Sequence, residues 1–170
     1  MIASPSILRI IAALAIVGGC ALRTCQGSQE GSVVDELMSR PAKVETPAAD
    51  GARIAQTAAL GNVTVVREAV PGAPAATADE AYILDISPKG VRITAPGPRG
   101  ERWARVTLDQ LMRLSRDGRI PCCRIVDWPR LKWRGLMLDT VRKYLPVQGV
   151  KAVIDVMSRY KLNLIHWHLT

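Results

Sequence analysis

The strongest constraint on this 170-residue chain lies in its last forty residues. Trp133 to Asp139 is an apolar run of strand length, entered through Trp-Arg-Gly. Val147, Val150, Val153, Ile154, Met157 and Lys161 recur along one side of a helix. Pro146 stands near its first turn, where a missing N–H is harmless. Leu162 to Leu169 returns as a second strand candidate. Strand, helix and strand in this order make a βαβ unit, whose strands lie parallel. A parallel sheet is covered on both faces and carries helices on its other strands. Two strands cannot supply that, so this stretch reads as the opening of a larger α/β fold and the chain as truncated.

Upstream the pattern changes. Tyr82, Leu84 and Ile86 alternate with Ile83 and Asp85, and Val91, Ile93 and Ala95 alternate with Arg92 and Thr94. With Ser87-Pro88-Lys89-Gly90 between them, these runs predict a β-hairpin with one apolar face. Thr107-Leu108-Asp109-Gln110 has capping-box spacing, Leu108, Leu111, Met112 and Ser115 follow on one side, and Gly118 is a natural stop. A helix is therefore expected over 107–117, packed on the hairpin. Asn62 to Val66 and Ile120 to Val126 are further strand candidates, and residues 68–81 and 96–100 read as loops. Trp128-Pro129 closes this part, which makes residues 36–129 a small α+β domain. Phe is absent, so its core rests on Val, Ile, Leu, Met and Trp.

At the N-terminus Arg9 precedes an apolar stretch from Ile10 to Val17, too short to span a bilayer but suited to a signal-peptide core. Val17-Gly18-Gly19-Cys20 resembles a bacterial lipobox, in which small residues precede a cysteine that receives lipid. Residues 1–19 are read as the signal, Cys20 as the lipidation site and residues 20–35 as a polar tether. The expected location is the periplasm, outer membrane or cell surface, with the membrane as a partner through the lipid. Ordinary cleavage and an uncleaved anchor are the alternatives. Cys25 lies in the tether. Cys122 and Cys123 are neighbours, too close for an unstrained disulfide. They read as small apolar residues on a strand, one to each face, with a redox or metal pair as the alternative. The formal charge is +8, but the basic residues are spread from Arg92 to Lys161 without a dense run or nucleic-acid motif. No nucleic-acid partner is expected.

Asp127-Trp128-Pro129-Arg130-Leu131-Lys132-Trp133-Arg134-Gly135-Leu136-Met137-Leu138-Asp139, followed by Arg142-Lys143-Tyr144-Leu145-Pro146-Val147, resembles the start of the catalytic barrel of family 20 glycoside hydrolases, the β-N-acetylhexosaminidases. Tyr160 to Thr170 continues the match, and Glu80-Ala81-Tyr82-Ile83-Leu84 and Thr107 to Leu111 are similar to the small domain that precedes that barrel. The resemblance implies a small β-sheet with helices on one side, then the first βαβ unit of a truncated (β/α)8 TIM barrel over 130–170. A whole barrel takes about 250 residues. It implies removal of terminal N-acetylglucosamine or N-acetylgalactosamine with retention, the substrate's own 2-acetamido oxygen acting as nucleophile. In that chemistry a Glu serves as general acid and then base, and the Asp beside it orients the acetamido group. The family's Asp-Glu pair lies downstream of the matching stretch, so no catalytic residue is assigned here. No cofactor or metal is implied, and the partners are glycans containing N-acetylhexosamine. The chain departs from the pattern at Lys143, usually His, and is short between Val66 and Glu80. A non-catalytic lipoprotein module that binds glycans or a protein partner is the competing reading.

The resemblance gives Arg134 the task of gripping the outer hydroxyls of the terminal sugar, which suits a guanidinium with five fixed donors. The other reading of Arg134 is a structural ion pair. Barrels gather active-site groups at the C-terminal ends of strands, whereas Arg134 starts its strand. Asp139 ends that strand and reads either as a second substrate-binding residue or as the ion-pair partner of Arg142. His166 and His168 share one strand face, but a metal site would need a third ligand. His168 and Arg142 are expected to orient neighbours beneath the sugar. Trp167 is expected in the core, and Trp128 and Trp133 at the domain junction.

Overall fold

A computed structural model describes residues 33–45 and 52–170. Cys20, Cys25 and the signal fall outside the described residues. The elements are β1 (Lys43–Glu45), β2 (Arg53–Ala55), α1 (Gln56–Gly61), β3 (Val63–Arg67), a 3-10 helix (Ala75–Glu80), β4 (Tyr82–Ser87), β5 (Gly90–Ala95), α2 (Pro98–Leu114), β6 (Arg119–Pro121), β7 (Arg124–Asp127), β8 (Gly135–Asp139), α3 (Val147–Arg159) and β9 (Leu164–His168). A five-stranded sheet runs β1-β7-β4-β5-β3, with β3 parallel to β5 and the other neighbours antiparallel. β2 and β6 form a separate antiparallel pair.

The β4–β5 hairpin forms where the alternation predicts it. Its turn needs glycine at Gly90, where φ is +137° and an added Cβ would lie 2.6 Å from the Asn62 carbonyl oxygen. One face of the hairpin is buried as the alternation predicts, while the other buries Ile83 and leaves Arg92 exposed. Leu84, Ile93 and Ile125 face the main core. Ile83 faces a smaller cluster with Val70 and Ala81, against which Val126 and Trp128 pack. Over the main face lies α2, burying Gly100, Trp103, Ala104, Thr107, Leu108 and Leu111 at helical spacing. Each large apolar side chain fully buried in this layer contributes about 1.5–3 kcal/mol, so the layer as a whole holds the domain together.

α2 starts nine residues earlier than the capping-box spacing predicts. Gly97 caps it in an extended conformation, Pro98 takes the first position and Glu101 lies in the first turn. Pro and Gly at 96–100 therefore open the helix instead of forming a loop, because the first N–H groups of a helix are unpaired in any case. Thr107 lies in mid-helix and is buried. The predicted strand over 120–126 is broken into β6 and β7 at Cys122 and Cys123, which lie in one core rather than on two faces. The Cys122 N–H donates to the Ala52 carbonyl and the Cys123 carbonyl accepts from Ile86, joining the two sheets. Burial pushes the Cys123 thiol up to about 12, which leaves it unreactive. The fold also begins before residue 36, since Val34 is buried in the core.

β8 and β9 pair in parallel, with α3 between them in sequence and Asp139 opposite His168. α3 ends at Arg159, so Lys161 does not continue its stripe. Instead the Lys161 N–H donates to the Ser158 carbonyl, and the Leu162 N–H donates to that of Met157. These are the two bonds of a Schellman motif, with Lys161 at its left-handed position. Trp128 packs against the cluster of Val70, Ala81 and Ile83. Trp167, expected in the core, is 45% exposed, and Trp133, expected at the domain junction, is 76% exposed.

Candidate functional site at the strand ends

One polar group occupies the C-terminal ends of β8 and β9. Asp139 Oδ1 accepts the backbone N–H groups of Val141 and Arg142, each at 3.1 Å. This is an Asx turn, in which a short carboxylate bends the chain just beyond the strand. The other oxygen, Oδ2, lies 3.3 Å from Arg142 Nε, and the Arg142 side chain is 88% exposed against 21% for Asp139. The Thr140 N–H and hydroxyl both donate to the His168 carbonyl at 3.3 Å. The Trp167 indole donates to Thr140 Oγ1 at 3.0 Å. The structure thus brings Asp139, Arg142 and His168 together, and leaves most of the Arg142 guanidinium in solvent.

A second polar group occupies the opposite ends of the same strands, and Arg134 belongs to it. Each of its guanidinium nitrogens is engaged, Nε with the Lys161 carbonyl, Nη1 with the Leu131 carbonyl and Nη2 with the Glu80 carboxylate. At about 3.3 Å of rise per residue, roughly 16 Å of strand separates it from Asp139. Arg134 thus makes the ion pair of the second of its two readings. Glu80 also accepts from the Trp103 indole at 2.6 Å and from Asn163 Nδ2 at 3.2 Å. Beside it, Lys161 Nζ donates to Asp127 Oδ2 at 3.0 Å and to the Tyr82 hydroxyl at 2.8 Å. The Tyr82 hydroxyl donates to Asp127 at 2.9 Å and lies 2.6 Å from Thr107 Oγ1. With its one proton directed at Asp127, the phenol oxygen accepts from Thr107.

These groups perturb one another. Burial, and then the Asp127 charge, holds the Tyr82 phenol well above its ordinary range. Burial pulls the Lys161 ammonium down, and Asp127 opposes that. Sequence reasoning missed Glu80, Tyr82, Asp127, Lys161 and Asn163 as a set. One signal was present, since a lysine on an otherwise apolar helical stripe needs a buried partner. A cleft of about 180 Å³ beside this network is lined by Trp103, Asp127, Trp128, Arg134 and Lys161 among others. A groove of about 500 Å³ between α2 and α3 carries Arg102, Arg105 and Arg159 against Glu101 and Asp109. Among the described residues, no three His, Cys, Asp or Glu side chains converge as metal ligands.

Residues 22–128 match the family model described as glycosyl hydrolase family 20, domain 2, and residues 131–170 match its catalytic domain. The chain belongs to glycoside hydrolase family 20. Among its relatives, the beta-N-acetylhexosaminidase of Cellulomonas fimi is 43% identical over 94 residues, which cover 54% of this chain and 19% of that protein. The beta-hexosaminidase of Akkermansia muciniphila is 39% identical over 93 residues, covering 54% and 19%. A crystal structure of a beta-N-acetylhexosaminidase superposes with a TM-score of 0.61 at 34% identity, over 76% of this chain and 26% of that one. The chain spans about a fifth of the length of these curated relatives. The family 20 resemblance and the mixed α/β class read from the sequence both hold.

Proposed function

We propose that this chain is the amino-terminal part of an exported β-N-acetylhexosaminidase, joining a small domain to the first strand, helix and strand of a (β/α)8 catalytic barrel. Its reaction is removal of terminal N-acetylglucosamine or N-acetylgalactosamine by substrate-assisted, retaining hydrolysis. The observation that carries this reading is the parallel β8–β9 pair with Asp139, Arg142 and His168 gathered at its C-terminal ends. Barrel enzymes build their sites at that end. Arg142 and Asp139 form one wall of the sugar pocket, with free guanidinium donors aimed at the outer hydroxyls, and His168 lies beneath. This reading transfers to Arg142 the sugar-gripping role first given to Arg134.

The general acid and its neighbouring Asp come from further barrel strands. Two Asp-Glu dipeptides occur here, but neither fits the role. Asp79 pairs with Arg99, and Glu80 is committed to Trp103, Arg134 and Asn163. Asp35 and Glu36 are exposed in the small domain. The exposed apolar side chains Leu131, Trp133, Met137, Tyr144, Ile154 and Leu169 are surfaces that the rest of a barrel would cover. Export rests on the Ile10–Val17 stretch and the small residues before Cys20.

The test is hydrolysis of 4-nitrophenyl N-acetyl-β-glucosaminide. The 170-residue chain should release no nitrophenol. A chimera that continues after Thr170 with the remaining barrel of the Cellulomonas fimi relative should release it. Turnover by the shorter chain, or a folded chimera without activity, would overturn the proposal.

A further inference from the structure

We infer that Glu80, a residue of the small domain, is a positioning residue for the sugar-binding strand ends of the neighbouring domain. The inference rests on the function proposed above for Asp139, Arg142 and His168. The two oxygens of Glu80 hold the residues that precede both strands. Oε2 accepts from Arg134, immediately before β8, and Oε1 accepts from Asn163, immediately before β9. Arg134 and Asn163 are in turn locked to each other. The Arg134 N–H donates to Asn163 Oδ1 at 2.9 Å, and the Asn163 N–H donates to the Arg134 carbonyl at 2.8 Å. Asn163 Nδ2 also donates to the Lys132 carbonyl at 2.8 Å. These bonds fix Gly135 opposite Leu164, and the register then runs along the pair to Asp139 opposite His168.

Glycine at 135 belongs to the same device. An added Cβ there would lie 2.6 Å from the Leu164 carbonyl oxygen, so the strands start in closer contact than a side chain allows. Register matters here because a slip by one residue turns every side chain to the other face. Met137, Asp139, His166 and His168 share one face, while Leu138 and Trp167 share the other. Glu80 is itself fixed by the Trp103 indole, from the buried side of α2. The small domain thereby sets where the C-terminal strand ends sit, about five residues away from any atom it touches.

The test reads strand order directly, by amide hydrogen exchange on the 170-residue chain. Glu80→Gln keeps the side-chain volume and removes the charge. It should speed exchange at residues 135–139 and 164–168 by about tenfold while leaving β4 and β5 unchanged. Arg113→Ala, which breaks the exposed α2 pair with Asp109, should change neither region. Unchanged exchange in β8 and β9, or an equal rise in β4 and β5, would overturn the inference. Should Glu80→Gln fail to fold, Asn163→Ala carries the same expectation from the exposed side of the network and decides it alone. In the barrel-complete chimera, Glu80→Gln should raise KM about tenfold at a temperature where both proteins are folded. Loosened strands with an unchanged KM would break the link to the site. The exchange result does not depend on turnover, so an inactive chimera with selective loosening would remove the proposed function and leave the strand positioning intact.

Discussion

Lys161 sets its ammonium 3.0 Å from the Asp127 carboxylate, and it does so from a left-handed backbone position, φ +58°, that glycine usually fills. The side chains are only 8% and 11% exposed. Burying this ion pair is expensive, and the Tyr82 hydroxyl and the Ala42 N–H offset the cost by bonding the remaining carboxylate positions. The left-handed conformation costs a residue with a Cβ about 1–2 kcal/mol. The side chain is thus retained for its reach across the seam.

Removing one partner of a buried pair leaves the other charge unsatisfied. Lys161→Met is therefore expected to destabilise the fold by about 3–5 kcal/mol. Lys161→Gly should be milder by about 1 kcal/mol, because it relieves the backbone. Urea unfolding followed by Trp fluorescence measures both. A Lys161→Met variant as stable as the parent would show that the pair contributes nothing.

Tyr82 makes the fold sensitive to alkali. Its phenol is held well above the ordinary value of 10.0, first by burial and then by Asp127. The folded state keeps this proton more tightly than the unfolded chain does. The stability it supplies is complete below pH 10 and is lost as pH rises beyond it. Lys161 acts in the opposite sense. Its ammonium is pulled below 10.5, so its contribution improves as pH climbs toward that value and then stops. Above about pH 10.5 the Tyr82 loss stands alone. A tyrosinate absorbance step should coincide with loss of helical ellipticity, and Tyr82→Phe should lack that step. A step that precedes any loss of structure would contradict this account.

The sequence was most readable where a period was uninterrupted. The Tyr82–Ile86 and Val91–Ala95 alternation marks β4 and β5, and the Val150–Met157 spacing marks α3. It was least readable where one residue type has two uses. Pro98 and Gly100 look like loop residues, yet Pro98 is harmless at a helix start and Gly100 allows close packing. Thr107 has the look of a cap, but its hydroxyl serves the buried phenol of Tyr82. At the candidate site, Asp139 was legible from its place at a strand end. The ion pair of Arg134 was hidden because its partner Glu80 lies 54 residues away in sequence, a separation that no local pattern reports. Lys161 fitted the helical stripe by spacing, and only the backbone shows that the helix has already ended.

Gly100 gives a simple check on the packing of α2. A Cβ at this position would lie 2.2 Å from the Ala81 carbonyl oxygen and 3.1 Å from Ala95 Cβ. Ala81 is the buried residue just before β4 and Ala95 is the buried end of β5, so neither can move cheaply. Gly100→Ala should destabilise the small domain by about 1–3 kcal/mol, although alanine is the better helix former. A thermal midpoint equal to or above that of the parent would mean that α2 does not seat this closely.

Export and lipid attachment make a separate expectation. With Cys20 as the mature N-terminus, an alkynyl fatty-acid label should enter the parent protein in a bacterial host and should be absent from Cys20→Ala. Cys25→Ala should label as the parent does. Equal labelling of the parent and Cys20→Ala would leave ordinary cleavage or an uncleaved anchor as the route.

Arg134 and Arg142 offer the sharpest contrast, because the two arginines lie at opposite ends of one strand and should fail in different ways. Arg134 has its guanidinium bound to Glu80 and two carbonyls, so Arg134→Ala leaves a buried carboxylate without its cation. The expected result is a loss of about 3 kcal/mol or more in stability, seen in the 170-residue chain itself. Arg142 is exposed and pairs with Asp139, so Arg142→Ala should leave stability nearly unchanged, as expected for a surface ion pair. In the barrel-complete chimera the order reverses. Arg142→Ala should lower kcat/KM by roughly 10- to 1000-fold, the range expected when charged donors to a sugar hydroxyl are removed. Arg134→Ala, assayed well below its melting temperature, should lose far less. Arg142→Lys should recover only part of the activity, since an ammonium keeps the charge but not the planar fork. Should Arg134→Ala lose activity while keeping its stability, the sugar-gripping role would return to Arg134 and the wall proposed for Arg142 and Asp139 would be wrong.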